Sequence, residues 1–405
     1  MAIASPTADS ASTRSWWSAG LPRNVFAIGV VSLLTDISGE MIVPVLPVFL
    51  TATLGAPPAA VGLIEGVAES TAAVLRIFSG WFSDRIGRRK QLVVAGYCFS
   101  NLVKPLLALS TAWPQVLAIR FSDRFGKGIR GAPRDALIAD SVEAAERGKA
   151  FGFHQSMDTA GAAIGPLVAA AILAVTMNNA RAVFWFTSVP CIATIIGAIW
   201  LVKDRPMVPK HGQLPRLGFS GLGRSFALFT GISVLFAVGN SSDAFLILRA
   251  QNVGMAVAAI PLAYFGFNAL YALLSTPAGM LSDRVGRRPL MILSYVIFAA
   301  VYVGFAVAGN ALTVGALFLL YSVYYAASEG VAKALVTDLV PAESRATALG
   351  TYAAATAIAL LPASVIAGGL WQAVGPWAPF AFGSALAGLA AVLLGVVPMR
   401  PVVAH

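Results

Sequence analysis

Charged residues are scarce in this sequence of 405 residues. Asp, Glu, Lys and Arg make up 11% of it, whereas 58% of the residues are hydrophobic and the mean hydropathy is +0.79. Soluble domains carry about 25% charged residues, because their folded surface has to be solvated by water. This composition excludes a soluble globular protein and predicts an integral membrane protein.

Metal-ligand and catalytic patterns are also missing from the sequence. It has three histidines and two cysteines, and neither type recurs at the spacing of a metal site. There is no Walker A loop, which a pump driven by ATP would need, and no nucleophile elbow. Cys98 and Cys191 both fall within long apolar runs, where we expect small core residues. The sequence therefore predicts neither an enzyme nor a metal or cofactor site.

Apolar runs long enough to cross about 30 Å of hydrocarbon recur along the chain. Because the membrane interior offers no water to the backbone, each run is expected to form a helix. We therefore predict an all-α membrane protein with twelve transmembrane helices. Their approximate ranges are 24–52, 58–80, 90–110, 114–138, 149–175, 181–202, 224–250, 257–281, 288–308, 311–337, 345–369 and 377–398.

The basic residues are distributed unevenly between the two sides that these helices would create. If the N-terminus is cytoplasmic, eighteen Lys and Arg residues fall in cytoplasmic segments, and only Arg181 and Arg249 fall on the other side. This positive-inside bias predicts that both termini are cytoplasmic, in a bacterial-type inner (plasma) membrane. The net charge of +10 is then a consequence of topology, so the lipid bilayer is an expected partner and nucleic acid is not.

The sequence contains an internal repeat. The segment GWFSDRIGRRK at 80–90 returns as GMLSDRVGRRP at 279–289, and ALIAD at 136–140 returns as ALVTD at 334–338. The offsets of 199 and 198 residues indicate that a six-helix unit has been duplicated. The predicted division is a cytoplasmic N-terminal tail (1–23), an N-terminal six-helix bundle (24–202), a cytoplasmic linker (203–223), a C-terminal six-helix bundle (224–398) and a cytoplasmic tail (399–405).

The repeated loop carries a specific motif. Gly-x-x-x-Asp-Arg-x-Gly-Arg-Arg follows predicted helices 2 and 8, and with twelve helices in duplicate the chain resembles the major facilitator superfamily. Gly161, Gly165 and Pro166 in predicted helix 5 are similar to the Gly-x-x-x-Gly-Pro element of its drug/proton antiporter-like branch. The resemblance implies two pseudo-symmetric six-helix bundles, a monomer, and alternating access of a small-molecule substrate to a central cavity.

The resemblance also implies a cytoplasmic gate at the two motif loops. Arg88 and Arg89 are expected to reach Asp140, and Asp84 is expected to face the N-terminal end of a neighbouring helix. Such contacts would close the cytoplasmic side in one conformation and break in the other. The alternative is that these arginines only anchor the loops on the cytoplasmic side. The gate residues predicted in this way are Asp84, Arg85, Arg88, Asp140, Asp283, Arg284, Arg287 and Asp338.

Predicted helix 4 carries much charge for a transmembrane segment. Arg120, Arg124, Lys127, Gly131 and Arg134 fall on one helical face. A charge at the bilayer centre costs about 3 kcal/mol or more. This stripe is therefore expected to line a watery cavity or to meet acidic residues on helices 1 and 2.

Two interpretations of these charges stay open. The charges can form a structural network of ion pairs that holds helices 1, 2, 4 and 5 together. Alternatively, some acids exchange protons during transport, because Arg keeps its charge at all relevant pH values whereas Asp, Glu and His can change theirs. A proton gradient would then drive transport, and the proton-coupling candidates are Asp36, Glu40, Glu65, Glu69, His154 and Asp158.

The predicted C-terminal bundle has few strongly polar groups and many tyrosines. Most of its aromatic side chains are expected to pack in the core. The resemblance places helices 7 and 10 at the cavity, so some tyrosines should face substrate. The substrate-cavity candidates of both bundles are Arg120, Arg124, Lys127, Asn240, Asp243, Tyr264, Asn268, Tyr321, Tyr325, Glu329 and Lys333.

These features favour a secondary active transporter that exports a small molecule in exchange for protons. The alternative is a facilitator or importer of the same fold, for an organic anion, a metal ion or a metal chelate. A membrane receptor or inactive scaffold is a third alternative. Loss of transport would tend to erode the motif loops, however, and both are intact.

Overall fold

The computed structural model describes residues 21–143, 146–204, 218–341 and 344–399, and most of them lie in helices. Every regular element in these ranges is a helix, which confirms the all-α prediction. Much of the predicted linker and of both tails lies outside the described residues. Twelve helical segments are described: α1 Arg23–Thr53, α2 Pro58–Ile86, α3 Arg89–Leu109, α4 Trp113–Asp140, α5 Arg147–Val175, α6 Ala180–Trp200, α7 Arg224–Asn252, α8 Ala259–Val285, α9 Arg287–Val307, α10 Ala311–Asp338, α11 Arg345–Ala373 and α12 Ala378–Val396.

Each helical segment coincides with a predicted span, although several continue further into the charged turns. The largest extension is in α2, which runs to Ile86 and is ended by Gly87 in the left-handed conformation (φ 69°) that glycine tolerates. By length and composition, ten of the twelve segments can cross a membrane. The other two, α2 and α4, carry the ion pairs of the candidate site described below.

Two helices are interrupted near the middle of the molecule. In α1 the regular helix ends at Ile42 and resumes at Leu46, and Pro44 between them lacks a backbone N–H donor. In α7 the helix ends at Gly239 and resumes at Ala244. Irregular backbone at this depth is tolerated where it is buried in protein or lines a polar cavity. The interruptions therefore mark the region where a central cavity is expected.

The two bundles are packed together on one side of the molecule. Residues 41–50 of α1 and residues 244–250 of α7 contribute to one continuous hydrophobic core. Gly66 of α2 lies against α11, where an added β-carbon would come within 3.1 Å of Leu361 Cδ1. Across the same side, Thr51 Oγ1 donates to Gln251 Oε1 over 3.1 Å. We call this side the closed face.

The opposite side carries the motif loops, and we call it the basic face. Two cavities of 850 and 740 Å³ lie between the bundles in this half of the molecule. The first is lined by the basic-face halves of α2, α4, α7, α9, α10 and α11, and the second by those of α5, α8 and α10. The space between the bundles is therefore entered from the basic face and blocked at the closed face.

Candidate functional site

A smaller cavity of 280 Å³ lies between the bundles at the level of the two helix interruptions. Helices α1, α2 and α4 form its N-terminal wall, and α7, α8 and α10 form most of its C-terminal wall. The polar and ionisable residues that line it are Glu40, Glu65, Glu69, Arg120, Arg124, Lys127, Asn240, Ser241, Ser242, Asp243, Tyr264 and Tyr325. Most of them belong to the sets predicted for substrate binding and proton coupling.

Two ion pairs link α2 and α4 like successive rungs of a ladder. Arg120 Nη2 donates to both carboxylate oxygens of Glu65, over 3.0 and 3.1 Å. One turn nearer the basic face, Arg124 Nη2 lies 2.8 Å from Glu69 Oε1. The two helices run side by side in the same direction, so both pairs join residues that are 55 positions apart. Acids of helix 2 therefore hold the cationic stripe of helix 4, as one of the two open interpretations expected.

The next rung of this ladder has no acid. Adding the same 55 positions places Ala72 of α2 opposite Lys127 of α4, and the neighbouring Gly128 packs directly on Ala72. Lys127 is exposed to the cavity and forms no ion pair or hydrogen bond with any residue that the structure describes. It is therefore a cationic group directed into the cavity with its donors unused.

The acids of α1 are held against α5 by the two glycines of the helix 5 motif. A β-carbon added to Gly161 would lie 2.8 Å from Asp36 Cβ, and one added to Gly165 would lie 2.7 Å from Glu40 Cβ. Within the described ranges, neither carboxylate forms an ion pair or a hydrogen bond. Glu40 lines the 280 Å³ cavity, and Asp36 lies one turn closer to the basic face. Pro166 follows within the same α5 helix.

The remaining proton-coupling candidates form a second charged cluster, nearer the basic face. His154 Nδ1 lies 3.5 Å from Asp158 Oδ2, which is also 3.9 Å from Arg134 Nη1. Arg134 in turn contacts Asp135 at 3.0 Å, and Asp135 pairs with Arg76 of α2 at 2.7 Å. Asp158 therefore belongs to an ion-pair chain between α2, α4 and α5, with His154 beside it, and neither residue lines the 280 Å³ cavity.

The interruption of α7 supplies most of the polar groups of the C-terminal wall. Asn240 and Asp243 lie in it, and Tyr321 Oη donates to Asp243 Oδ1 over 3.1 Å. Tyr321 was predicted at the cavity, but it is 1% exposed and reaches the site only through this hydroxyl. Tyr264 and Tyr325 do line the cavity. Ser241, which the prediction missed, lines it too, and the short polar run Asn-Ser-Ser-Asp at 240–243 in an apolar helix was the available signal.

Three predicted cavity residues lie closer to the basic face. Glu329 accepts hydrogen bonds from Tyr271 Oη over 2.6 Å and from Lys333 Nζ over 3.1 Å. Both Glu329 and Lys333 line the 850 and 740 Å³ cavities, and Asn268 lines the latter and donates to the Ala162 carbonyl over 3.4 Å. They form the entrance on the basic-face side rather than the small cavity.

The predicted gate of the N-terminal half is organised by one arginine of the motif. Arg89 is buried and donates to Asp140 and, over 2.9 Å, to Asp84. The other arginine that was expected to reach Asp140, Arg88, is exposed and contacts neither acid. Arg85 lies over the ring of Trp81, 5.5 Å from its centre. The expectation was therefore correct for Arg89 and wrong for Arg88.

The C-terminal half uses the other arginine of its motif. Arg287, which corresponds to Arg88 in the repeat, lies 2.8 Å from Asp338 and 3.7 Å from Asp283. Arg288 donates to backbone carbonyls at the end of α12, and Arg284 is exposed. All the described ion pairs of both gates lie within one bundle. They are formed while the basic face is open, so they do not by themselves hold the bundles together.

The described residues include no group of three or more His, Cys, Asp or Glu side chains that could hold a metal ion. The site described above consists of paired arginines and glutamates, an unpaired lysine and unpaired acids around a small cavity.

Comparison with known proteins agrees with this architecture. The model of the Major Facilitator Superfamily matches residues 28–249 and 225–404. An uncharacterized MFS-type transporter of Methanocaldococcus jannaschii is 37% identical over 380 residues, which are 92% of this chain and 94% of that protein. A probable 4-methylmuconolactone transporter of Cupriavidus pinatubonensis is 29% identical over 296 residues, 69% of this chain and 68% of that protein.

A solved structure shows the same fold at low sequence identity. The POT family transporter in complex with 5-aminolevulinic acid has a TM-score of 0.78 and 12% identity, covering 95% of this chain and 97% of that one. Two helical bundles, a cavity between them and matches along nearly the whole sequence lead to one conclusion. The chain belongs to the Major Facilitator Superfamily, and it is a multi-pass membrane transporter and not an enzyme.

Proposed function

We propose that this transporter exports a small molecule in exchange for protons, by alternating access to the 280 Å³ cavity. In this proposal it acts as a monomer in a bacterial-type inner membrane, with both termini cytoplasmic and the basic face toward the cytoplasm. The observation that carries the proposal is Glu40. It lines the cavity without an ion-pair partner among the described residues, while Glu65 and Glu69 are each paired with an arginine.

The paired and unpaired carboxylates have different tasks in this scheme. Glu65 and Glu69 each have a fixed partner, because an arginine keeps its positive charge at any relevant pH. Glu40 has no such fixed partner and can take up a proton without leaving a stranded cation. Gain and loss of a proton at Glu40 would then change the charge of the cavity between the two conformations of the transporter.

The contact between α1 and α5 supports a link between protonation and helix movement. Gly165 allows α5 to approach the backbone of α1 at Glu40, so the two helices meet without intervening side chains. A change in the charge or hydration of Glu40 would act directly on this contact. The resemblance of the glycine motif to that of antiporters supports export over import.

A facilitator or importer of organic anions is the second candidate, and Lys127 is the observation that favours it. An unpaired lysine in the cavity can bind a carboxylate by charge-assisted hydrogen bonds. The similarity to a probable 4-methylmuconolactone transporter is compatible with such a substrate. Transport of an organic anion by a facilitator or importer gives Glu40 no role, and for that reason we place this candidate second.

Export can be tested in growing cells. Cells that express the wild type and cells that express Glu40→Gln are compared for tolerance to a panel of antibiotics, amino-acid analogues, organic acids and metal salts. The wild type is expected to raise tolerance to at least one compound and to lower its accumulation, and the variant is not. Greater accumulation of every transported compound in wild-type cells would contradict export.

A further inference from the structure

We propose that the transported molecule is a small zwitterion, whose carboxylate binds Lys127 and whose ammonium group binds Asp243. This inference rests on the proposed function in one respect, because it takes the 280 Å³ cavity as the substrate site. It goes further in assigning the chemical class of the substrate and the group that each wall recognises.

Among the described residues of the N-terminal wall, Lys127 is the one cation without an ion-pair partner. The arginines that line the cavity are engaged, Arg120 with Glu65 and Arg124 with Glu69. Lys127 continues the same helical face, but the residue of α2 opposite it is Ala72 and not a third acid. The ammonium group of Lys127 therefore keeps three donors for a ligand. A carboxylate is a matching acceptor, since a hydrogen bond between two charged groups is about twice as strong as a neutral one.

In the part of the C-terminal wall that the structure describes, Asp243 is the one acidic side chain at the cavity. Asp243 lines the cavity from the interruption of α7, and Tyr321 orients its carboxylate. Within the described residues it forms no ion pair. Tyr264 and Tyr325 line the same cavity, and aromatic rings beside a carboxylate are favourable surroundings for an ammonium group.

A buried hydroxyl group strengthens the argument for a polar ligand at this wall. Ser241 is 6% exposed, and its Oγ atom forms no hydrogen bond with any residue that the structure describes. It lines the cavity two residues before Asp243. A buried polar atom without a partner is costly, so such atoms are usually satisfied by a ligand or by water. An ammonium group held at Asp243 can donate to this hydroxyl oxygen as well.

Charge complementarity favours a zwitterion over ligands of one sign. An organic cation at Asp243 would leave the donors of Lys127 unused, and an organic anion at Lys127 would leave Asp243 without an ion-pair partner. A zwitterion engages both groups by charge-assisted hydrogen bonds, and Glu40, which lines the same cavity, is left for the proton. The cavity volume of 280 Å³ and the tyrosine lining suit a molecule of the size of an aromatic amino acid.

Blocked amino acids test this assignment with purified, full-length protein. Phenylalanine, tyrosine and histidine are compared with their amides, which lack the carboxylate, and with their N-acetyl derivatives, which lack the ammonium group. Binding is measured from the thermal stabilisation of the protein in detergent. At least one zwitterion is expected to bind, and blocking either end is expected to weaken its binding about 10-fold or more.

Two variants test which wall of the cavity binds each end of the zwitterion. Asp243→Asn is expected to lose the preference for the free amino group and to keep the preference for the carboxylate. Lys127→Gln is expected to do the reverse. Glu143→Gln and Lys149→Gln remove the same charges at exposed positions of the basic face and should bind like the wild type.

The outcomes separate this inference from the proposed function. Binding of no zwitterion in the series, or equal binding of the blocked compounds, would overturn the assignment even if another compound exchanges with protons. The assignment would also be overturned if Asp243→Asn and Lys127→Gln both kept the wild-type preference for a free amino group and a free carboxylate. Selective binding of a zwitterion that moves without protons would leave the assignment intact and would contradict proton coupling instead.

Discussion

Arg124 of α4 and Glu69 of α2 form an ion pair, with 2.8 Å between Nη2 and Oε1. Together with the Arg120–Glu65 pair it sets the register of α2 against α4, and this register leaves Lys127 opposite an alanine. The charge content of helix 4 therefore has two explanations. Of its three cations that line the cavity, two hold the wall together, and the third is available to the substrate.

The first prediction concerns this ion pair. Arg124→Ala removes the ion-pair partner of Glu69, and breaking a fully buried pair costs about 3–5 kcal/mol. Because the Glu69 side chain is 41% exposed to the cavity, we expect a loss at the lower end of that range. A second change, Glu69→Gln, should recover most of the thermal stability, whereas Glu40→Gln should not. Equal recovery by both would show that the pair is not specific.

The second prediction concerns the contact between α5 and α1. Gly165→Val places methyl groups where even a β-carbon would lie 2.7 Å from Glu40 Cβ, so α1 has to move away. We expect folded protein whose transport rate falls by about 10-fold or more, because a displacement near 1 Å can cost about 100-fold in a positioned site. Gly152→Val on the same helix meets no atoms within 4 Å and is the matched control. Equal transport by both variants would refute the coupling of this contact to transport.

The third prediction distinguishes the two motif arginines. Arg89→Gln removes the buried partner of Asp84 and Asp140, and we expect slower transport and a lower melting temperature. Asp84→Asn should slow transport as well. Arg88→Gln should behave like the wild type, since Arg88 is exposed and contacts neither acid. Transport assays of the three variants decide the point, and a larger loss for Arg88→Gln than for Arg89→Gln would contradict the structure.

The fourth prediction adds the missing acid. Ala72→Glu should pair with Lys127 and complete the third rung of the ladder. The protein is then expected to fold normally but to lose the preference for a ligand carboxylate, as Lys127→Gln does. Ala72→Gln controls for the larger side chain. Retained carboxylate preference in Ala72→Glu, measured with the blocked amino acids, would show that Lys127 does not bind that group.

Much of the fold could be predicted from the sequence. Membrane helices are recognised from the length of their apolar runs, and the duplication is recognised from the repeated motif. The stripe of Arg120, Arg124 and Lys127 followed from helical periodicity. Its partners did not follow, since the register between two helices depends on close packing such as that of Gly128 on Ala72. For the same reason the motif could not show which of two adjacent arginines is buried. Tyr321 was misplaced because periodicity gives a helix face but not the depth of burial.

Proton movement by the purified transporter tests directly whether substrate is exchanged for protons. Proteoliposomes with an acidic interior and a trapped pH dye are given the zwitterions of the binding series and the compounds that the growth panel identifies. We expect that at least one compound makes the interior of liposomes containing the wild type less acidic. We also expect that Glu40→Gln binds this compound without moving protons. Uptake of a labelled compound with no change in internal pH, or unaltered proton movement in Glu40→Gln, would contradict the account.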